Sequence, residues 1–246
     1  MKGVLYISHG SRIETARREA VEFINSVKQV VNIDHQEMCF LELAEPDVTR
    51  GVEILLDQGV TEISVVPVLL LSAGHYYNDI PKELDAINEK YPHIEFSYGK
   101  PLGVQHRITN ILNERINETN VQPNSDAKLL LVGRGSYNPQ TQADITSIGD
   151  VLRQTTGFNH VRECYLAACH PSFEDTLGDS LEAGHSQIFI VPYLWFTGVL
   201  ERHMESTVKD RNTRDSIILC HHLGNHPAMR QALKERVYET FELLPQ

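Results

Sequence analysis

The sequence has no long apolar run and no cluster of basic residues. A membrane helix needs roughly 20 consecutive apolar residues, and the chain opens without a signal-peptide pattern, so we expect a cytoplasmic protein without membrane contacts. The formal net charge of the 246 residues is −11, from 22 basic and 33 acidic side chains. Proteins that bind nucleic acid usually present a basic face, so nucleic acid is not an expected partner.

Paired cysteines and phosphate-binding loops are also missing. The four cysteines are irregularly spaced, without a Cys-x-x-Cys pair, so we expect reduced, buried thiols rather than a zinc site or a disulfide framework. The segment Gly133-Arg134-Gly135 lacks the rest of a phosphate-loop pattern, so neither ATP nor an organic cofactor is expected. Histidine, in contrast, is abundant, with 12 residues.

Strand-like and helix-like segments alternate along the whole chain. The predicted strands are Gly3–Ser8, Glu37–Leu43, Glu62–Leu71, Ile94–Tyr98, Lys128–Gly133, Val161–Ala168, Gln187–Leu194 and Ser216–Cys220. The predicted helices are Arg12–Val31, Pro46–Gln58, Tyr77–Tyr91, Val104–Asn117, Gln140–Thr155 and Ala228–Leu243. This alternation predicts an α/β fold in which small parallel sheets are flanked by helices.

The second half of the sequence repeats the first. Gly10-Ser11 matches Gly135-Ser136, Cys39-Phe40-Leu41 matches Cys164-Tyr165-Leu166, and Val66-Pro67 matches Val191-Pro192, all at one constant offset. Such regular self-similarity indicates an internal duplication. We therefore predict an N-terminal domain at residues 1–119, a linker at residues 120–126 within a polar, proline-containing segment, and a C-terminal domain at residues 127–246.

Three metal-binding side chains follow successive predicted strands of the first half. His9 comes after the first strand, Glu42 lies at the end of the second, and His75 follows the third. Ligands of such sheets bind beyond the carboxyl ends of the strands, so these side chains are expected to meet at one edge. Two imidazoles and a carboxylate suit Fe²⁺, Co²⁺, Ni²⁺ or Zn²⁺ and leave coordination positions open. For each histidine considered alone, the alternative to metal binding is a structural role.

The second half keeps the scaffold without this chemistry. Arg134, Ala167 and Leu200 hold the positions of His9, Glu42 and His75. Arg134 either binds a substrate carboxylate through two parallel hydrogen bonds or forms a salt bridge on the surface. The second half also has its own cysteines and histidines, which form either a second metal site or, as we favour from their irregular spacing, structural contacts. These residues are Cys164, Cys169, His170, His203, Cys220, His221, His222 and His226.

Carboxylates follow His75 at helical spacing. Asp79 and Glu83 lie one to two turns beyond it on the same predicted helix. These carboxylates either transfer a metal ion to or from His75 or, in the interpretation we favour, form a solvated helix face.

Three motifs in order resemble the class II chelatases of sirohaem and cobalamin synthesis. They are His-Gly-Ser at 9–11, Leu-Glu-Leu-Ala-Glu-Pro at 41–46 and Val-Pro-Val-Leu-Leu-Leu-Ser-Ala-Gly-His at 66–75. The resemblance covers essentially the whole chain, and is strongest to the two-domain sirohydrochlorin ferrochelatases. It implies a lyase that inserts Fe²⁺ into sirohydrochlorin, forms sirohaem and releases two protons. It also implies that His9, Glu42 and His75 are the catalytic and metal-binding residues.

The expected partners are sirohydrochlorin and a divalent metal ion, with the protein a monomer or a homodimer. Candidate substrate-binding residues are Gly10, Ser11, Arg12, Tyr76 and Arg134, because backbone N–H groups at a helix start and guanidinium groups bind carboxylates and tyrosine rings stack on flat rings. The alternatives are a cobalt or nickel chelatase, a metallochaperone, a metal-dependent hydrolase, and a non-catalytic two-lobed module that binds a small ligand or a metal.

Overall fold

The computed structural model describes residues 1–211 and 216–242. Residues 212–215 and 243–246 of the predicted second half lie outside the described residues, and so does the last position of the helix predicted at Ala228–Leu243. The described chain forms two compact units. Each contains a four-stranded parallel sheet flanked by helices, which confirms the predicted fold class.

The first unit contains residues 1–103 and the segment that begins at Pro227. Its strands are β1 (Lys2–Ser8), β2 (His35–Phe40), β3 (Glu62–Pro67) and β4 (Glu95–Tyr98), in the order β2-β1-β3-β4. Its helices are α1 (Glu14–Lys28), α2 (Val48–Asp57), a π-helical turn (His75–Asp79) that leads into α3 (Ile80–Lys90), and α8 (Pro227–Glu242). All three strand pairings are parallel.

The second unit lies between Val104 and His226 and repeats the same strand order. Its strands are β5 (Lys128–Gly133), β6 (His160–Tyr165), β7 (Ile188–Tyr193) and β8 (Ile217–Leu219), in the order β6-β5-β7-β8. Its helices are α4 (His106–Glu118), α5 (Pro139–Thr155), α6 (Phe173–Glu182) and α7 (Val199–Arg211). All described pairings in this sheet are parallel as well.

Strand β1 lies at the centre of the first unit. The chain leaves β1 for β2 on one side and then returns to pair β3 on the other side. Residues Gly3 to Ser8 are buried throughout, because helices cover both faces of a parallel sheet. On one face, Leu5 and Ile7 pack with Val52 and Leu55 of α2 in a single core cluster. The reversal of strand order beside β1 places a natural ligand crevice at its carboxyl end.

The helix after β2 begins at the same kind of cap in both units. The Asp47 carboxylate accepts a hydrogen bond from the backbone N–H of Arg50 at 2.7 Å. At the corresponding position of the second unit, the Ser172 hydroxyl accepts one from Asp175 N–H at 3.1 Å. Such caps satisfy amide groups that the first helical turn leaves unpaired. Helix α2 therefore begins at Val48, two residues after the predicted start.

Each compact unit takes one helix from the other half of the sequence. Helix α8 packs on β3, β4 and α1 of the first unit, and α4 packs on α5 and β7 of the second. The compact units therefore differ from the halves 1–119 and 127–246, which describe the order of the repeat. An apolar helix face shows that a helix is covered by a sheet, but it does not show which sheet covers it.

Two corresponding arginines hold these exchanged helices. Arg236 of α8 donates from Nε to the carbonyl of Pro101 at 2.9 Å and from Nη2 to that of Leu102 at 2.8 Å. Arg115 of α4 donates in the same way to the carbonyls at 222 and 223, at 2.9 and 2.8 Å. Each guanidinium thereby satisfies two loop carbonyls with charge-assisted hydrogen bonds, which are about twice as strong as neutral ones.

The cysteines of the described structure are free thiols. Cys39, Cys164 and Cys220 are buried, and Cys169 is partly exposed. The prediction of buried thiols therefore holds for three of the four cysteines and fails for Cys169. Among the helices of the described ranges, none combines the length and the hydropathy that crossing a membrane requires.

Candidate metal centre

His9, Glu42 and His75 converge at the carboxyl edge of the first sheet. One ligand atom from each lies within 4.8 Å of the others, and this is the only such group of three or more His, Cys, Asp or Glu side chains among the residues described. His9 Nδ1 lies 3.3 Å from Glu42 Oε1, and the rings of His9 and His75 are 4.4 Å apart, edge to face. The geometry therefore suits the binding of a single cation.

The strand ladder continues past the strands and holds His9 beside Glu42. The backbone N–H of Leu41 donates to the carbonyl of Ser8 at 2.8 Å, and that of Glu42 donates to the carbonyl of His9 at 3.0 Å. The main chains of two of the three converging residues are thus hydrogen-bonded directly to each other. Their relative position depends on the sheet rather than on a mobile loop.

Gly10 allows this close approach. Its φ is +94°, and a Cβ at this position would lie 1.8 Å from the carbonyl oxygen of Glu42. Leu43, just after Glu42, also has a positive φ of 63°, which is uncommon for a residue with a side chain. The residue after His9 and the residue after Glu42 therefore both have a positive φ, a backbone conformation that few residues with a side chain adopt.

The π-helical turn positions His75. The N–H of Ile80 bonds to the carbonyl of His75, which closes the wide turn. The carbonyl of Tyr76 accepts a hydrogen bond from the Tyr98 hydroxyl of β4 at 2.9 Å, and the two tyrosine rings stack at 5.0 Å. Burial raises the pKa of both phenols, so Tyr98 remains a hydrogen-bond donor. The helix predicted at 77–91 did not include this turn, because the spacing of apolar residues does not distinguish a π-helix from an α-helix.

Asp79 was interpreted as part of a solvated helix face, and this interpretation misses a contact. Its carboxylate oxygen Oδ2 lies 2.7 Å from Nδ1 of His75. Glu83, the second carboxylate of that face, is exposed. The signal for the contact was present in the sequence, because His75 and Asp79 are four residues apart.

Three of the predicted substrate-binding residues, Ser11, Arg12 and Tyr76, belong to the first unit and differ in their environments. The Ser11 hydroxyl accepts a hydrogen bond from Ile13 N–H at 3.0 Å, where α1 is about to begin, and Arg12 beside it is exposed. Tyr76 is half-buried, with its ring against Tyr98, whereas the neighbouring Tyr77 is 52% exposed. Tyr77 therefore offers the more open ring of the two for stacking.

The corresponding edge of the second unit keeps the backbone and lacks the ligands. A Cβ at Gly135 would lie 1.8 Å from the carbonyl of Ala167, as at Gly10 and Glu42. Arg134 is exposed and donates to the carbonyl of Gly135 at 3.3 Å. The close approach at Gly10 is thus a property of the repeated scaffold, whereas the convergence of His9, Glu42 and His75 has no counterpart among the described residues of the second unit.

Histidines of the second unit have carboxylate partners instead of a common centre. His203 lies 2.7 Å from Glu174, and His226 lies 2.9 Å from Glu114. His222 Nδ1 lies 2.6 Å from Oε1 of Glu201, whose side chain is only 8% exposed. These pairs support the structural interpretation of the cysteine and histidine residues in this half.

Comparison with known proteins gives a consistent assignment. The CbiX family model matches residues 3–119 and 128–240. A sirohydrochlorin ferrochelatase of Priestia megaterium is 41% identical over 238 residues, which cover 96% of this chain and 90% of that protein. A sirohydrochlorin cobaltochelatase of the same species is 33% identical over 249 residues, covering 98% of this chain and 81% of that protein.

The fold agrees with these matches. A solved structure described as SirB from Bacillus subtilis with Fe³⁺ superposes with a TM-score of 0.87 at 37% identity, covering 97% of this chain and 95% of that chain. The resemblance inferred from three short motifs is thus confirmed over nearly the full length of the sequence. Because both halves match one family model and the full chain matches its members, this protein belongs to the CbiX family of class II chelatases.

Proposed function

We propose that this protein inserts Fe²⁺ into sirohydrochlorin and forms sirohaem. The observation that carries the proposal is the convergence of His9, Glu42 and His75 around one possible cation position. Membership in a chelatase family supports it, and so does the similarity to a sirohydrochlorin ferrochelatase. In this reaction the ring exchanges two pyrrole N–H protons for one divalent ion, so charge and atoms balance without ATP or an organic cofactor.

The donor set suits an ion that must arrive and leave. Two imidazole nitrogens and one carboxylate oxygen bind first-row divalent metals and leave coordination positions open for the ring nitrogens. The side chains of His9 and His75 are 33% and 30% exposed, and that of Glu42 is 49% exposed. A macrocycle can therefore reach the ion from solvent, and the ring nitrogens replace the protein ligands one at a time.

The same side chains receive the protons that the ring loses. An imidazole that has released the metal has a free lone pair and acts as a base. A proton on His9 would face the Glu42 carboxylate 3.3 Å away, which stabilises the imidazolium. We assign proton removal to His9 with Glu42 as its counter-charge, and metal binding to all three side chains.

We assign substrate docking to the residues that the sequence predicts for it. Arg12, Tyr76 and the Gly10-Ser11 turn lie beside the metal centre in the chain, and Arg134 holds the matching position in the second unit. Exposed guanidinium groups bind carboxylates as two-pronged donors. Substitution of Arg12 or Arg134 by Met should raise the KM for sirohydrochlorin and leave the affinity for free metal unchanged.

Metallation of sirohydrochlorin, followed by its absorption spectrum, tests the function directly. The wild-type protein should accelerate the spectral change in the presence of Fe²⁺, and His9→Ala should abolish the acceleration. His203→Ala, which removes an exposed imidazole of the second unit, is the matched control and should retain activity. Metallation no faster with wild-type protein than without it would refute the proposal, and binding without turnover would favour a non-catalytic module.

The second candidate is cobalt insertion, favoured by the 33% identity to a cobaltochelatase. Affinity alone rises from Fe²⁺ to Co²⁺ to Ni²⁺, so the three ligands by themselves do not select iron. Comparison of kcat/KM for the three ions under anaerobic conditions distinguishes the candidates. We assign iron because the ferrochelatase relative is the more similar of the two.

Light scattering on the same samples distinguishes the monomer from the homodimer.

A further inference from the structure

Asp79 forms a short contact with a proposed metal ligand without joining the metal-binding group. Its Oδ2 lies 2.7 Å from Nδ1 of His75, whereas the group of converging ligand atoms consists of His9, Glu42 and His75. The Asp79 carboxyl side chain is 53% exposed. Asp79 therefore acts on the centre only through the imidazole of His75.

The contact determines which nitrogen of His75 carries the hydrogen. An ionised carboxylate has only acceptor atoms, so Nδ1 of His75 must be the donor. A neutral imidazole with its hydrogen on Nδ1 keeps the lone pair on Nε2. The carboxylate thus selects the tautomer in which Nε2 is the metal-binding atom, and it restricts rotation of the ring.

The π-helical turn holds the two side chains in register. His75 and Asp79 are its first and last residues, and the Tyr98 hydroxyl fastens the turn through the carbonyl of Tyr76. Single π-helical turns occur often at functional sites. The hydrogen bond is therefore built on a wide turn that is fixed to the neighbouring strand.

The second unit loses both members of the pair together. At the constant offset that relates the two halves, Leu200 replaces His75 and Met204 replaces Asp79. Met204 is 1% exposed and belongs to the apolar core of that unit. The second unit therefore lacks the carboxylate at the same place where it lacks the histidine.

We propose that Asp79 is a positioning residue that holds His75 as the Nδ1–H tautomer and so sets the affinity of the centre for divalent metal. The proposal rests on the proposed function only in taking His75 as a metal ligand. Carboxylate partners of metal-bound histidines typically contribute about 10- to 100-fold in metal affinity or activity.

Metal binding without the macrocycle tests the proposal separately from catalysis. Titration of the protein with Co²⁺, followed by its visible absorption, should give a Kd about 10- to 100-fold higher for Asp79→Ala than for wild type. Asp79→Asn, which keeps an acceptor without the charge, should fall between the two, and Asp79→Glu should recover part of the affinity. Glu83→Gln removes a carboxylate from the same helix and is the matched control, with a Kd within about twofold of wild type.

The histidine tautomer provides a readout that a purely structural role would not move. Nitrogen-15 spectra of the metal-free protein should show His75 protonated at Nδ1, and Asp79→Ala should give a mixture of tautomers while the circular dichroism spectrum stays native. Asp79→Asn and Asp79→Glu serve in place of Asp79→Ala if the latter does not fold. Wild-type Co²⁺ affinity in the Asp79 variants, or an unchanged tautomer, overturns the proposal. A wild-type protein that binds Co²⁺ but does not metallate sirohydrochlorin overturns only the proposed function.

Discussion

The α-carbon of Gly10 and the carbonyl of Glu42 approach so closely that a single added Cβ would lie 1.8 Å from the carbonyl oxygen. The same pair recurs as Gly135 and Ala167, also at 1.8 Å. One contact therefore occurs twice in the molecule, once beside the converging side chains of His9, Glu42 and His75 and once without such a group. This permits a test in which backbone strain and metal chemistry are separated.

Gly10→Ala should destabilise the fold and also weaken metal binding. The positive φ costs an alanine about 1–2 kcal/mol, and the clash displaces Glu42 relative to His9. Gly135→Ala is the control, with a comparable loss of unfolding free energy in urea and an unchanged Kd for Co²⁺. Equal Co²⁺ affinities in the two variants would show that the backbone contact does not position the centre.

Removal of Arg236 or Arg115 should loosen one exchanged helix each. Arg236→Met deletes two hydrogen bonds to the carbonyls at 101 and 102, and Arg115→Met deletes the corresponding two at 222 and 223. Hydrogen bonds from charged groups contribute about 1.5–3 kcal/mol each, so we expect the loss of two to lower the unfolding free energy by about 3–6 kcal/mol per variant.

Hydrogen exchange locates the effect of each arginine. Amides of α8 should exchange faster in Arg236→Met, and amides of α4 should exchange faster in Arg115→Met, each with little change in the other helix. Arg18→Met is the control, because Arg18 forms an exposed ion pair at 3.8 Å and such pairs contribute about 0–1 kcal/mol. Unchanged exchange in α8 of Arg236→Met would refute an anchoring role.

Removal of His222 should leave a buried carboxylate without its counter-charge. Glu201 is 6% exposed, and its Oε2 has no hydrogen-bond partner in the described structure, while Oε1 lies 2.6 Å from His222. Breaking a buried pair of this kind costs about 3–5 kcal/mol, so His222→Ala should lower the unfolding free energy in urea by that amount.

The double variant Glu201→Met, His222→Phe should recover much of this loss, because it removes both members of the pair and fills the space with apolar atoms. His203→Ala breaks the more exposed pair with Glu174 and should cost less than about 1 kcal/mol. If His222→Ala lowered the unfolding free energy no more than His203→Ala does, groups other than His222 would have to stabilise the buried carboxylate of Glu201.

Cys169 should be the one cysteine that reacts rapidly with an aromatic disulfide reagent in the native protein. Burial raises the pKa of Cys164 and of Cys220 to about 12, so at pH 8 about 10⁻⁴ of either thiol is the reactive thiolate. Cys169 is partly exposed. Cys169→Ser should remove the fast phase and Cys220→Ser should leave it unchanged, whereas fast labelling of Cys220 would contradict the burial argument.

Several features could be predicted from residues that are close in sequence. The alternation of strands and helices predicted the α/β class, and the constant offset between Gly10-Ser11 and Gly135-Ser136 predicted two similar sheets. The expectation that His9, Glu42 and His75 meet followed from a general property of parallel sheets, whose carboxyl ends share an edge. The structure brings these side chains together, and their binding of metal stays a prediction.

Other features depend on contacts that have no local signature. A π-helical turn at His75–Asp79 and an α-helix at the same position share nearly the same apolar spacing, so the wide turn closed by the hydrogen bond from Ile80 N–H to the carbonyl of His75 was missed. The stacking of Tyr76 on Tyr98 joins residues from different elements. Neither contact changes the periodicity from which the helix was predicted.

The sequence by itself determined the repeated α/β scaffold and the restriction of the His9, Glu42 and His75 pattern to the first half, because each of these depends on residue type and spacing along the chain. Only the tertiary structure decided which sheet covers α4 and α8, and which ring stacks on Tyr76. The physical reason is that an apolar helix face or an aromatic ring has many suitable partners. The choice among them is made by packing and hydrogen bonds between residues far apart in the sequence, such as Arg236 and Pro101.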